Sequence, residues 1–467
     1  MKRLFLISAI FALAATPALA QPVKPAPPAP VADDPMAGFD KDLDALFVQG
    51  GITADQAAAR AGHVSPTVRR KVAEVAAAIA SGEAAELQRV PQVTAKLAYT
   101  RLSPLSPIDL GSFMGQNFVI AFLDNSYLAE STVSVPLSDY VLRYPKLIEA
   151  ARLGEDVAKL SRHSAEVDAG EDARLAYYEW LRAKLQVLIA QRQLVQVHST
   201  VIQFQALADA QRLSKADLLR VQSQEAEAEQ TVDQLKNLSE LREEQLRLLI
   251  GATDAEPLGI GEDVRKDMQS PGAAPLDDMM GQARHKRLDF AVLDTGIKAK
   301  DKQRESEKAA RYPKLSAVGI VDYADPNPRV FPQTDTFTFT WSLGVQLTWT
   351  LNDALVEGTT DRRLIAETDE LRADRDNLER GARIEVLSAQ QAVSLAEHAL
   401  RTTAKGLAAT EESYRVRREL LAADRATAVE LVDAETDLTR ARIAALNARV
   451  DLRVAMTQLA HAVGNDH

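Results

Sequence analysis

The stretch "DRATAVELVDAETDL", residues 424–438, sets Glu430 and Asp433 three residues apart. On a helix that spacing puts both carboxylates on one face. Repeated around a symmetry axis, they would make an acidic ring that concentrates cations. The plainer reading is solvated charge on a helix surface. Little else in the chain could do chemistry. The seven histidines (63, 163, 198, 285, 398, 461 and 467) are scattered, with no pair at metal-ligand spacing. GxSxG, HExxH and phosphate-binding glycine loops are absent, and so is cysteine, which excludes thiol nucleophiles, disulfides and thiolate metal sites. No catalytic, cofactor-binding or metal-binding candidate emerges, and the chain reads as non-enzymatic.

What would position a ring of carboxylates is written in the rest of the chain. Residues 1–20 pair Lys2 and Arg3 with an apolar run and an Ala18-Leu19-Ala20 exit, the pattern of a secretory signal peptide cleaved after Ala20. With no cysteine to carry a lipid, the mature chain should not be a lipoprotein. Residues 21–50 open on "QPVKPAPPAPVADDP", a composition that reads as a Pro-rich disordered linker. The formal charge of −11 argues against nucleic acid as a partner. No later stretch is long and apolar enough for a membrane helix, so entry into a bilayer would have to be as β-strands.

The chain also repeats itself. Residues 63–93 align without a gap on 285–315, with Pro91 over Pro313. "VSVPLSDYVL" then falls on "LTWTLNDALV" with Asp139 over Asp353, Asp217 falls on Glu430, and Gly251 closes one half as Gly464 closes the other. A period this long marks a duplicated domain rather than a solenoid. The first repeat is read over 51–251: a helix over 65–89, a β-hairpin over about 91–135, a long helix over about 143–207 and a helix over about 214–250. A linker over 252–274 follows. The second repeat, 275–464, has a hairpin over about 313–349 and again two long helices. The hairpin loops 103–115 and 325–335 are rich in turn residues. Along the long helices Trp180, Ala183, Val187, Ala190, Leu194, Val197, Val201 and Phe204, and later Val386, Ala389, Val393, Ala396 and Leu400, follow a coiled-coil spacing. The first of these helices would be roughly 100 Å long.

One strand departs from this helical background. From 337 to 349, Phe337, Phe339, Trp341, Leu343, Val345, Leu347 and Trp349 alternate with Thr, Ser, Gly and Gln. That is the pattern of a wall between lipid and water. Four strands per chain cannot close a barrel, so closure calls for several chains around one axis.

At this point the residues resemble a known family, the TolC family of outer-membrane efflux proteins. The resemblance is carried by "GITADQAAARAGHVSP" and "PLDDMMGQARHKRLDF" opening the halves, and by "RVPQVTAKLAYTRL" and "RYPKLSAVGIVDY" entering the hairpins. "WSLGVQLTWTLNDA" leaves one hairpin, and "LLIG" and "AHAVG" close the halves. It implies a mainly helical fold with a membrane β part. A homotrimer would share a 12-stranded β-barrel in the outer membrane and extend a long coiled-coil helical barrel across the periplasm. It also implies a periplasmic gate in a motif resembling Y-x-x-G-x-R-x-x-x-D-x-x-D. Glu430 and Asp433 match its last two positions. Asp424 stands at the glycine, Leu421 at the tyrosine and Ala426 at the arginine. In the first half Asp217 is the counterpart of Glu430, and Gln211 takes the glycine position. The gate would thus keep its acidic ring and lose its tyrosine and arginine, with Arg417, Arg418 or Arg425 as replacements.

The expected function is an export duct through which substrate passes passively. Its partners would be outer-membrane lipid, a periplasmic adaptor and a proton-driven or ATP-driven inner-membrane pump. The competing reading is a trimeric coiled-coil tether or adhesin of the envelope without channel activity. Such a tether needs neither polar-faced strand pairs nor a carboxylate cluster at a helical tip.

Overall fold

A computed structural model describes residues 39–113, 116–120, 123–266, 274–331, 333–423 and 425–465. The expected signal peptide, the Pro-rich part of the linker up to residue 38, and Asp424 lie outside the described residues.

Chain order begins with α1 (Phe39–Leu46), β1 (Phe47–Ile52), α2 (Ala54–Val64) and α3 (Pro66–Leu87). Thr53 starts α2 with a reciprocal capping box: its hydroxyl accepts from the Gln56 amide, and the Gln56 side chain accepts from Thr53 N–H. Pro66 then sits in the first turn of α3, where its missing N–H costs nothing. The chain continues through β2 (Gln92–Arg101), β3 (Ile108–Phe113), β4 (Gln116–Ile120) and β5 (Asn125–Val135), then α4 (Leu137–Leu142), α5 (Tyr144–Asp209) and α6 (Lys215–Ile250). The second repeat holds α7 (Leu276–Lys286), α8 (Leu288–Glu307), a 3₁₀ turn (Lys308–Arg311), β6 (Lys314–Asp325), β7 (Thr338–Thr348), α9 (Leu351–Ala422) and α10 (Ala428–Val463). Gly251 and Gly464 end α6 and α10 in the left-handed conformation, at φ +64 and +75. The amides that follow each glycine bond back into the last turn, which satisfies carbonyls that helix ends leave open.

The long helices run side by side, α5 with α6 and α8, and α9 with α10. At 66 and 72 residues, α5 and α9 span about 100 Å each. Their seams are buried at heptad spacing: Ala183, Ala190, Val197 and Phe204 on α5, and Val386, Val393 and Ala396 on α9. The largest core lies where Tyr177, Trp180, Leu181 and Leu185 of α5 meet Leu246 and Ile250 of α6 and Val450 of α10.

Three differences from the sequence reading are physical. Residues 39–50, read as part of a disordered linker, form α1 and β1. Leu43, Leu46 and Phe47 pack on the main core, Asp42 pairs with Arg192, and Asp44 pairs with Arg265. Proline density upstream hid a short apolar and acidic segment that the core can cover. The link between the repeats is likewise partly folded. Ile260 bridges to Phe47 and Ile52, and the nearly buried Arg453 side chain pairs with Glu262 while donating to the carbonyls of Asp263 and Lys266. The loop of the hairpin read over about 91–135 also carries a small hairpin of its own, β3 with β4, so its second strand, β5, starts only at Asn125.

Candidate functional site: a two-faced sheet and an acidic helical tip

Four antiparallel strands stand in the order β2-β5-β6-β7. Their register sorts the side chains by face, because residues directly paired across a sheet share a side. Trp341 pairs with Val321, Leu343 with Gly319, Val345 with Ala317 and Leu347 with Leu315. Val321 and Gly319 in turn face Ser131 and Val133 of β5, which pair with Ala95 and Val93 of β2. Along the middle of the sheet this face is therefore apolar across all four strands apart from Ser131, with Asp325, Asn125 and Arg101 at the end away from the long helices. The opposite face carries Gln92, Thr94 and Lys96 of β2, Glu130 and Thr132 of β5, Ser316 and Asp322 of β6, and Thr340, Ser342 and Gln346 of β7.

The seven strand residues singled out by alternation, Phe337, Phe339, Trp341, Leu343, Val345, Leu347 and Trp349, are all exposed, with Leu343 at 77%. Phe337 and Trp349 flank β7 rather than belonging to it. Aromatic rings gather at the end of the sheet away from the long helices. Tyr99 lies 5.1 Å from Tyr127, Tyr127 lies 5.9 Å from Phe337, and Tyr323 stacks on Phe337 at 5.1 Å. Trp349 marks the other end. An apolar band bordered by aromatic rings is the arrangement of a strand wall at membrane–water boundaries. Among the described residues, β2 and β7 pair on one side only.

The tip lies at the far end of α5 and α9, where α6 and α10 start. Ser214 caps α6: its hydroxyl accepts from the Asp217 amide at 3.1 Å and meets the Asp217 carboxylate at 2.6 Å. Thr427 caps α10 in the same way. The Glu430 carboxylate accepts from Thr427 N–H at 3.2 Å, and the Thr427 hydroxyl accepts from the Glu430 amide at 3.3 Å. The two repeat-related carboxylates, Asp217 and Glu430, thus hold helix N-termini, where negative charge is favoured. Arg417 stands 3.6 Å from Glu430.

Asp433 reaches across to Arg220 of α6, 3.4 Å away, with both side chains more than half exposed. These two residues are separated by 213 positions, the same spacing as Asp217 and Glu430, so the first repeat has an arginine where the second has Asp433. The structure brings Glu430 and Asp433 to one end of α10, and each carboxylate has a cation beside it. Sequence reasoning missed Arg220, though the repeat register points straight to it. Gln211 adopts φ +60 at the α5–α6 turn, the conformation that favours glycine, which accounts physically for the glycine of the family motif at that place.

Sequence reasoning also missed Glu435. This residue is buried and bonded to Gln196 and Thr200 of α5, and burial pushes its carboxyl up to about 7. Its signal was available: Leu431, Ala434, Glu435 and Leu438 form one i, i+3, i+4, i+7 stripe of α10.

Residues 279–465 match the family described as "Outer membrane efflux protein". That match makes the second repeat similar to the outer-membrane efflux proteins. Among solved structures, the CusC channel superposes with a TM-score of 0.72 at 15% identity, covering 90% of this chain and 93% of that one. The outer-membrane channel OprN gives 0.71 at 17%, covering 91% of each. The outer-membrane protein VceC of Vibrio cholerae gives 0.68 at 15%, covering 91% of this chain and 96% of that one. No curated protein matches. The family match falls on the second repeat, while the likeness of fold runs through both halves of the chain.

Proposed function

We propose that three copies of this chain form an export duct. Their sheets would close into one 12-stranded barrel in the outer membrane, and their long helices would line a conduit through the periplasm. The single observation that carries this reading is the sheet: a mainly apolar face, a mainly polar face and, among the described residues, an unpaired strand at each edge. An open edge in lipid leaves backbone groups unsatisfied at several kcal/mol each. Pairing β7 of one copy with β2 of the next satisfies both edges and keeps the strands antiparallel throughout.

The long helices support the conduit, because about 100 Å of packed helix extends the same wall away from the membrane. Passage would be passive, since a duct needs a lumen and a gate rather than a catalytic group. Energy would come from an inner-membrane pump joined through a periplasmic adaptor, with Glu430, Asp433 and Asp217 at the entrance. The signal peptide would deliver the chain, and lipid would contact Phe339 to Leu347 of β7 together with its flanking Phe337 and Trp349.

Purified in detergent, the protein should sediment as three chains, and reconstituted in a planar bilayer it should give discrete single-channel steps. A stable monomer that keeps its β-structure defeats the shared barrel. A trimer without conductance favours the structural tether.

A further inference from the structure

Glu435 sits about two turns into α10 and is 5% exposed. Its Oε1 receives the Gln196 Nε2 hydrogen bond at 2.9 Å and the Thr200 hydroxyl at 3.1 Å. The same Gln196 amide donates to the Tyr414 hydroxyl at 3.0 Å. One small network therefore ties α5 of the first repeat to α9 and α10 of the second.

The Thr200 hydroxyl decides how the network responds to a proton. It has a second acceptor, the backbone carbonyl of Gln196, also at 3.1 Å. A hydroxyl carries one hydrogen and cannot serve both acceptors well. When Glu435 is ionised, that hydrogen is needed on the carboxylate. When Glu435 is protonated, its own O–H can donate to Thr200 Oγ1, and the Thr200 hydrogen turns to the Gln196 carbonyl. In the neutral form the Thr200 hydroxyl and the Gln196 carbonyl are both partnered. The ionised form buries a negative charge held by two neutral donors, and burying charge is costly.

Charged neighbours share both cavities that Glu435 lines, Arg192 and Arg442 in one and Glu227, Asp433, Asp437 and Arg440 in the other. On α5, Arg192 pairs with Asp42, and His198 faces Glu225 of α6 at 2.6 Å. Glu411 of α9 and Arg442 of α10 lie 3.9 Å from each other. On the side toward α6, Glu227 lines the cleft with Asp433, Asp437 and Arg440 of α10. Asp433 meets Arg220, and Asp437 meets Arg440 at 3.6 Å.

We propose that Glu435 is a proton-operated joint between the repeats: neutral, it clamps α10 to α5 and α9, and ionised, it loosens the tip end of α10. The direction of the effect follows from linkage. Burial raises the carboxyl from 4.5 to about 7 in the folded chain, so the folded joint holds a proton that the opened joint releases. The stabilisation is complete below the unfolded value, is lost as pH rises through the folded value, and is absent above it.

The test is amide hydrogen exchange over residues 431–440 of the full chain in detergent, corrected for intrinsic rates. Between about pH 5.5 and about pH 8, local opening should become about thirtyfold more favourable in the wild type. Glu435→Gln, which is neutral at every pH, should remove that dependence and keep α10 protected. His198→Gln should leave the dependence intact. Gln196→Leu, which removes an amide that can only donate to the carboxylate, should shift the midpoint upward. The joint is refuted if wild-type protection is the same at both pH values, or if Glu435→Gln keeps the wild-type dependence. Where Glu435→Gln does not fold, an unshifted midpoint in Gln196→Leu refutes it instead.

Discussion

The two repeats share a scaffold and differ in what they place on it. Both run helix, strand pair, long helix, helix, and both close on a left-handed glycine. Both start their last helix with a hydroxyl cap and a carboxylate three residues on: Ser214 with Asp217, and Thr427 with Glu430. The strand loops diverge, with β3 and β4 inserted in one repeat only. So do the entries into the long helices, where the first repeat inserts the short α4 before α5 and the second runs into α9 from Leu351. One turn into the last helices the charge itself reverses, with Arg220 in one repeat and Asp433 in the other. Positions that set backbone geometry are alike in the two halves, whereas the strand loops and the charge one turn into the last helix are not.

The core gives the largest test of that comparison. Trp180 fills the junction of α5, α6 and α10 at 1% exposure. Trp180→Ala should lower stability by roughly 3–5 kcal/mol, read by denaturant or thermal unfolding. Val393→Ala on α9 removes far less buried surface and should cost clearly less. Equal losses would mean that the two long helices rest on their cores to the same degree.

The sheet comes next. Leu343→Arg, near the middle of the apolar face, should hinder membrane insertion at roughly 2–4 kcal/mol, and Trp341→Asp should act in the same direction. Thr340→Lys on the opposite face should be tolerated. Outer-membrane yield of heat-resistant trimer measures both. A reversed order would mean the faces are exchanged, as a one-residue slip of register would do.

Much of this architecture could be read in the sequence, for identifiable reasons. Alternation over 337–349 and heptad spacing on α5 and α9 are periodic signals, and a duplicated chain states them twice. What stayed hidden was non-periodic or long-range. The β3–β4 hairpin lies in a stretch of Ser, Pro and Gly that reads as loop. Residues 39–50 were masked by the prolines before them, and only packing against Arg192, Arg265 and the core reveals their order. The candidate tip was half legible. Glu430 and Asp433 stood out by spacing, but the capping role of Glu430 was passed over, although T-x-x-E announces it. The Arg220–Asp433 pair needed the repeat register and the three-dimensional closeness of α6 and α10 together.

Smaller effects are expected at the caps. Thr427→Ala and Ser214→Ala should each cost about 1 kcal/mol, measured as unfolding or as faster amide exchange in the first turn of α10 or α6. Because in both repeats the hydroxyl accepts from the amide three residues on, the two losses should be similar. A loss confined to Thr427→Ala would make that N-terminus special beyond its cap.

The smallest change in stability, and the most informative change in conductance, is expected at Arg220 and Asp433. Their ion pair is solvent-exposed, so breaking it should alter stability by under about 1 kcal/mol. Its effect on permeating ions should be larger, because charges gathered at a narrow mouth act on the ion rather than on the fold. Under the duct reading, Arg220→Gln removes the cation beside Asp433 and should raise cation selectivity and block by multivalent cations from the periplasmic side. Glu430→Gln with Asp433→Asn should do the opposite and leave the trimer intact. Asp168→Asn, a carboxylate far from the start of α10, serves as the reference. Reversal potentials in a salt gradient, taken with block curves, separate the cases. If Arg220→Gln and the double variant shift selectivity in the same direction, the two repeats are not balancing each other's charge at the entrance. If neither variant differs from Asp168→Asn, the carboxylates serve as caps and surface ion pairs, and the entrance is set by other residues.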